Sequence, residues 1–190
     1  HLINSNNVFD PNFRADAADQ LGARLRLRTQ LGRNPNAPRM AGELSLGGET
    51  GDYTFLRPEA LLRLGTPLFG GVALGIEAAA GTVEGDAVPA QAFWRLGGAS
   101  TVRGYRGSAA IGERYWRTRT ELGFGITGAR LALFSDAGWA GPRAQLQSRP
   151  SLLSAGVGGS FLDGLLRVDL ARALRGERGW RLHLHFNGVL

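Results

Sequence analysis

Polarity alternates with a period of two along most of the chain. Ala23, Leu25, Leu27, Thr29 and Leu31 alternate with Arg24, Arg26, Arg28 and Gln30. On a strand this puts three arginines on one face and an apolar stripe on the other, whereas a helix would scatter the same residues around its circumference. The theme returns at Met40–Gly47, Phe55–Thr66, Val72–Ala80, Tyr115–Gly125, Arg130–Trp139, Leu153–Phe161, Leu165–Ala173 and Trp180 to about Val189. Turn signals punctuate these runs: Asn34-Pro35-Asn36, Gly47-Gly48, Gly70-Gly71, Gly141-Pro142 and Gly176-Glu177-Arg178-Gly179. The pattern predicts an all-β, antiparallel fold of roughly nine strands of about ten residues, a length that crosses a bilayer when tilted.

Two architectures fit such strands. A soluble sandwich or barrel turns its apolar face inward, whereas a transmembrane β-barrel turns it to lipid and lines its interior with polar groups. Composition favours the second. The apolar stripes are Leu, Val, Ala and Ile with few large aromatics, the polar stripes are rich in Gly, Ser, Arg and Glu, and Trp94, Trp116, Trp139 and Trp180 fall near strand ends, as an interfacial girdle would place them. No apolar run reaches the length of a transmembrane helix, and residues 1–7 have neither the basic start nor the apolar core of a signal peptide. Asn4 to Asp19 reads as a loop, so the odd strand count points to an incomplete barrel, since bacterial single-chain barrels use even numbers. Cysteine is absent from the 190 residues, which excludes disulfide and thiolate chemistry. The net charge of +6 is spread along the chain rather than massed, which argues against nucleic acid and for a charged interior or anionic lipid.

One segment does not alternate. Gly97-Gly98-Ala99-Ser100-Thr101-Val102-Arg103-Gly104-Tyr105-Arg106-Gly107 lies in a long connection, and long loops in compact domains are usually functional or disordered. The strands after it supply a partner for its arginine. If Gly128-Ala129 forms a two-residue hairpin turn, Thr127 faces Arg130, and counting outward puts Glu121 across from Asp136 on the polar face. Two facing carboxylates repel each other unless a cation sits between them. Arg103 is the natural cation, because its planar guanidinium receives carboxylates in bidentate geometry. The loop is therefore expected to fold back into the interior, pinned by Arg103 to Glu121 and Asp136.

Val102-Arg103-Gly104-Tyr105 together with Phe134-x-Asp136-x-Gly138 resembles the bacterial surface-antigen superfamily of outer-membrane barrels, which includes BamA, TamA and the two-partner secretion transporters. The resemblance covers about the last hundred residues well and the first eighty by alternation alone. It implies a sixteen-stranded barrel of which residues 1–190 are the C-terminal portion. It also implies a lumen loop over residues 82–112 with a Val-Arg-Gly-Tyr tip, Arg103 contacting the wall at Phe134 and Asp136, and Glu121 as the acidic residue of the preceding strand. The family has five strands after this loop, as counted here; the four before it would be strands eight to eleven, with seven strands and periplasmic POTRA domains preceding His1. Family members usually end in an aromatic, whereas this chain ends Phe186-Asn187-Gly188-Val189-Leu190, and Gly188 would weaken a last strand suited to a seam that opens laterally.

The function implied is assembly, insertion or translocation of client outer-membrane or secreted proteins, without covalent chemistry and without a cofactor. The partners implied are those clients, the bilayer and its lipopolysaccharide, and accessory assembly subunits. A passive pore or ligand-binding barrel is the alternative. An outer-membrane esterase using Ser154 or Ser160 with His183 or His185 is a third reading, for which no orienting acid is evident. His183 and His185 share one face at metal-ligand spacing, yet lack a carboxylate or Cys partner in reach and read as a hydrated pair. Gly123-Phe124-Gly125-Ile126-Thr127-Gly128 matches the dinucleotide pattern formally but leads into a strand rather than a helix. The row Arg24, Arg26 and Arg28 reads as a solvated strand face in preference to an anion site.

Overall fold

The computed structural model describes residues 19–32, 34, 37–85, 88–126, 128–144, 150–162, 165–177 and 179–186. The N-terminal loop expected before Asp19 lies outside them. In chain order the strands are β1 (Gln20–Leu31), β2 (Arg39–Gly51), β3 (Phe55–Pro67), β4 (Val72–Thr82), β5 (Glu84–Gly85), β6 (Trp94–Leu96), β7 (Ala110–Gly112), β8 (Arg114–Ile126), β9 (Ala129–Gly141), β10 (Leu152–Phe161), β11 (Leu166–Ala173) and β12 (Trp180–Phe186). Nine long strands form one antiparallel sheet in the order β1-β2-β3-β4-β8-β9-β10-β11-β12, with β5 added beside β3. Four long strands precede the long connection and five follow it. That connection is not structureless: it carries a short 3-10 turn at Ala90–Ala92 and the hairpin β6–β7.

Gly47-Gly48 is not a turn. Both residues lie inside β2, paired with Arg57 and Leu56 of β3. A Cβ at Gly48 would stand 3.0 Å from the Leu56 side chain, and one at Gly47 would stand 3.7 Å from Nε of Arg24. Glycine is here a strand residue over which a neighbour's side chain lies.

The faces separate as the alternation predicts. One face is apolar and open: Leu25, Leu27, Leu133, Leu182 and Leu184 are all more than half exposed. Soluble domains rarely expose so large a contiguous apolar surface, whereas a lipid-facing wall requires it. The other face carries cross-strand ion pairs. Glu43 is shared by Arg26 and Arg28 at 2.9 Å each, and Glu77 by Arg63 and Arg117. Two arginines of the β1 row thus share one carboxylate within the sheet. The buried apolar cluster lies between this polar face and the long connection, and includes Phe55, Val83, Trp94, Leu96, Val102, Tyr105 and Tyr115.

The tryptophan girdle needs correcting. Trp94 is buried in β6 against the Tyr115 ring, and Trp139 is also fully covered, so only Trp116 and Trp180 are placed on the apolar face with any exposure. Exposed Phe69, Phe124, Phe161 and Phe186 mark the opposite end of the sheet, which the sequence reading did not assign. The longest connections, 83–113 and 142–151, leave from the tryptophan end together with 52–54 and 174–179; the other end carries 32–38, 68–71, 127–128 and 162–165. In bacterial barrels short turns are periplasmic and long loops extracellular, and by that rule the tryptophan end would be the outer one.

This assignment of faces predicts that Leu133→Arg, in the middle of the apolar wall, destabilises the full-length barrel in lipid vesicles by about 2–4 kcal/mol. Urea unfolding with an unchanged midpoint would show that this face does not meet lipid.

Candidate functional site

The hairpin β8–β9 turns one residue earlier than the sequence reading assumed. Ile126 pairs with Ala129, so the central residues are Thr127 and Gly128 rather than Gly128 and Ala129; Thr127 itself lies outside the described residues. Gly128 supplies a φ of +88° at the second central position. Arg130 consequently pairs with Gly125, Glu121 stands opposite Phe134, and Asp136 stands opposite Arg119. The expected direct pairing of Glu121 with Asp136 is therefore wrong by two residues. Because side chains alternate with a period of two, that shift leaves both carboxylates on the same face. They sit diagonally rather than abreast, with Arg103 between them.

Arg103 is fully buried, as are the Asp136 and Asp169 side chains. Its Nε and Nη2 donate to Oδ2 and Oδ1 of Asp136 at 2.7 and 2.6 Å, a bidentate fork, and its backbone N–H donates to the same Oδ2 at 3.0 Å. Nη1 donates to Oε1 of Glu121 at 2.7 Å and to Oδ2 of Asp169 at 3.2 Å. The guanidinium also stacks 3.5 Å above the Phe134 ring. A planar ion with five donors is the side chain suited to three acids and an aromatic face together. Arg167 on β11 completes the charge balance, donating to both oxygens of Glu121 at 3.0 and 2.8 Å and to Asp169 at 2.9 and 3.0 Å. Arg119 approaches Asp136 at 3.8 Å.

Arg119, Arg167 and Asp169 were missed by sequence reading. Their signal was the polar-face alternation of Arg167-Val168-Asp169, but β10 lies between β9 and β11, and its contribution is an absence of side chains. Gly158 pairs with Asp169, and a Cβ there would collide with the Asp169 carboxylate. Gly156 pairs with Phe134, and a Cβ there would stand 2.5 Å from the ring. The two glycines clear the floor beneath the guanidinium.

The remaining tip residues fit by shape. Gly104 has a φ of +84°, and a Cβ on it would stand 2.9 Å from the backbone of β11 at Arg172 and Ala173. Glycine is needed there twice over, for conformation and for clearance. Gly104 N–H donates to Nε2 of His183 on β12 at 3.2 Å. Buried Val102 packs on the wall at Gly138, where a Cβ would stand 3.1 Å from Val102 and 3.0 Å from Leu96. The Tyr105 hydroxyl accepts from the Leu153 N–H at 3.0 Å and lies 2.9 and 2.8 Å from the carbonyls of Leu153 and Arg175, where β10 and β11 part. Through these contacts one four-residue tip touches β8, β9, β10, β11 and β12.

The base of the connection is held separately. Trp94 lies between the Arg57 guanidinium, 3.8 Å from its ring centre, and the Tyr115 ring at 4.4 Å; the Tyr115 hydroxyl donates to Glu59. Beyond the strands, Arg143 bridges Glu84 at 2.8 Å and Glu113 at 3.3 Å. Hydrogen bonds from Thr82 and Arg143 hold the Glu84 carboxyl far below its ordinary range, at about 2.

Other sequence candidates fare differently. His185 does have a carboxylate neighbour, contrary to expectation, with Nε2 3.6 Å from Asp169; that acid is already engaged by Arg103 and Arg167. Among the described residues no group of three or more His, Cys, Asp or Glu is placed to hold a metal. Ser154 is fully buried opposite Asp136, and Ser160 lies opposite Arg130 and Arg167, so neither is paired with a histidine. The glycines of the dinucleotide pattern lie on β8 and its turn into β9, with no helix following. Phe186 is exposed at the end of β12, while Gly188 lies outside the described residues.

Truncating one partner of a buried ion pair leaves the other uncompensated. Asp136→Ala should therefore cost about 3–5 kcal/mol in the urea unfolding of the full-length barrel. Arg103→Ala combined with Asp136→Ala should cost clearly less than the sum of the single changes; strict additivity would mean that the two do not interact. Gly104→Ala should expose the tip to added protease while β8–β12 stay folded, and an unchanged cleavage pattern would contradict the clearance argument.

Residues 77–161, which include the tip and the wall that receives it, match the family described as haemolysin secretion/activation protein ShlB/FhaC/HecB. Comparison with curated proteins finds no match. Among solved structures the chain is similar to BamA from Haemophilus ducreyi lacking POTRA domains 1-3, with a TM-score of 0.64 and 14% identity over 76% of this chain and 36% of that one. It is likewise similar to CdiB from Acinetobacter baumannii, with a TM-score of 0.69 and 17% identity over 87% of this chain and 32% of that one. The chain thus spans about a third of either neighbour.

Proposed function

We propose that this chain is part of a bacterial outer-membrane β-barrel of the surface-antigen superfamily, one that inserts or exports client proteins under the control of an anchored lumen loop; the family match over residues 77–161 and the two barrel neighbours support the reading. The observation that carries the reading is the reach of the tip around Arg103. A constriction loop in a passive pore needs attachment only to its neighbours, whereas this tip contacts five consecutive strands: Arg103 reaches β8, β9 and β11, Tyr105 reaches β10 and Gly104 reaches β12. Residues 82–112 would be that lumen loop, Val102, Arg103, Gly104 and Tyr105 its anchor, and Glu121, Phe134, Asp136 and Gly138 the wall that receives it. The machinery would be one of shape, acting without covalent chemistry and without a cofactor.

The physical sequence is short. While Arg103 is seated, β12 is held to the tip through His183 and cannot leave β11 without breaking that hydrogen bond. Release of the tip would free β12, the edge of the described sheet, whose outer side near Phe186 would border the seam. An edge strand presents unpaired N–H and C=O groups, and a client strand can pair with them by β-augmentation. Clients would be outer-membrane or secreted proteins rich in β-structure, with the bilayer, its lipopolysaccharide and accessory subunits as further partners.

The test is Arg103→Ala in the full-length protein, in cells lacking the wild-type copy. Secreted protein in the medium, or folded outer-membrane protein in the envelope, should fall at least tenfold while the barrel remains inserted. Arg103→Lys should not restore it, because an ammonium cannot make the fork to Asp136. Undiminished export by Arg103→Ala, together with a rise in planar-bilayer conductance, would favour the passive pore.

A further inference from the structure

Among the described residues the apolar wall contains almost no charge, and the one charged side chain there without a described carboxylate partner is Arg172. Alternation assigns to this wall the odd positions of β1, β9 and β10 and the even positions of β2, β3, β4, β8, β11 and β12. Among the described residues, the only charged side chains at those positions are Arg114 and Arg172. Arg114 opens β8 and is engaged by Glu84 at 3.5 Å. Arg172 is exposed on β11 among the exposed leucines Leu170, Leu174 and Leu182, and no carboxylate pairs with it. Across the strand pair stands Trp180, 58% exposed, its ring 5.9 Å from the Arg172 guanidinium.

The position of Arg172 gives it a specific neighbour. It lies one residue before the end of β11, on the side of the long connections. There a tryptophan marks the level of lipid headgroups, and the cost of a lipid-facing arginine falls as it nears the interface. A guanidinium at that level, without a protein counter-ion, meets phosphate, which it grips bidentately. Exposed Arg175 lies three residues on at the same end, its Nη1 bonded to Ser151 at 3.0 Å, and adds positive potential. The geometry points to a phosphate-binding site on the outer wall, formed by Arg172 with Trp180 beside it, for the phosphorylated lipid A headgroup of the outer leaflet. The inference rests on outer-membrane placement and orientation, not on the export role of the loop.

The full-length protein, purified in detergent, would be titrated with bisphosphorylated lipid A and separately with phosphatidylglycerol, and bound lipid counted by native mass spectrometry. The wild type should retain lipid A, and Arg172→Gln should weaken that binding at least tenfold. A folded-barrel migration shift on unheated gels should be the same for both, since the substituted side chain faces lipid. Equal lipid A binding by Arg172→Gln, the result for an arginine that merely reaches to water, would overturn the site. Phosphatidylglycerol binding as tightly as lipid A would overturn the assignment to lipid A. Export measured on the same variant reports on the loop mechanism separately, because Arg172→Gln leaves Arg103 and its partners untouched.

Discussion

The tip of the long connection and the wall beneath it are arranged around one cation that has been removed from water. A buried guanidinium is strongly destabilising unless its donors are met, and a single carboxylate leaves most of the five unused. Asp136, Glu121 and Asp169 meet them from three different strands, and Phe134 offers its ring face below. The same requirement runs in reverse, since three acids gathered from β8, β9 and β11 would repel one another if the loop were absent. Arg167 and Arg119 offset part of that repulsion from within the wall, leaving a pocket whose last charge must arrive from elsewhere. Loop and wall are each incomplete in a way the other corrects.

Small residues make the pocket possible. The inward positions beneath the tip read Gly138, Gly156, Gly158, Ala132, Ala171 and Ala173, and the tip itself turns on Gly104. Each removes volume where the loop or a buried ring needs it, and the resulting floor is deep enough to seat Arg103, Val102 and Tyr105 at 2% exposure or less. This is why the apolar core of the chain is found on the nominally polar face. The core is not a property of the sheet but of the contact between sheet and loop.

The sequence was most legible where a short-range rule governs. Period two located all nine long strands, and the separation of faces followed from it, because both depend only on neighbouring residues. The site was legible through two short motifs, and Arg103, Glu121 and Asp136 do meet, although the pairing that led to them was displaced by two residues. Parity rescued the inference: a displacement of one would have sent Asp136 to the lipid face. Gly47-Gly48 and two of the four tryptophans, Trp94 and Trp139, were misread for the opposite reason. Whether a glycine is a turn or a clearance, and whether Trp94 meets lipid or Arg57, depends on what lies across the sheet. Asp169 and His183 were hidden likewise, since their partner arrives from a loop more than sixty residues earlier in the chain.

The two attachments of the loop differ in chemistry, and the difference bears on which can let go. At its base, Trp94 is held by stacking and apolar burial against Arg57, Tyr115, Phe55 and Val83, contacts that weaken gradually as groups slide. At its tip, Arg103 is held by short, directional, charge-assisted bonds, which are lost together when the guanidinium withdraws. Such a fork has no intermediate position: it is seated, or its carboxylates need another cation or water. Arg119, 3.8 Å from Asp136, and Arg167, already on Glu121 and Asp169, stand where they can take up part of that demand. A wall that partly supplies its own counter-ions lowers the cost of releasing the tip without lowering the precision with which it is seated. That combination is what an all-or-none clasp requires, and under the proposed function the reversible step would lie at the tip while the base keeps the loop within reach of its pocket.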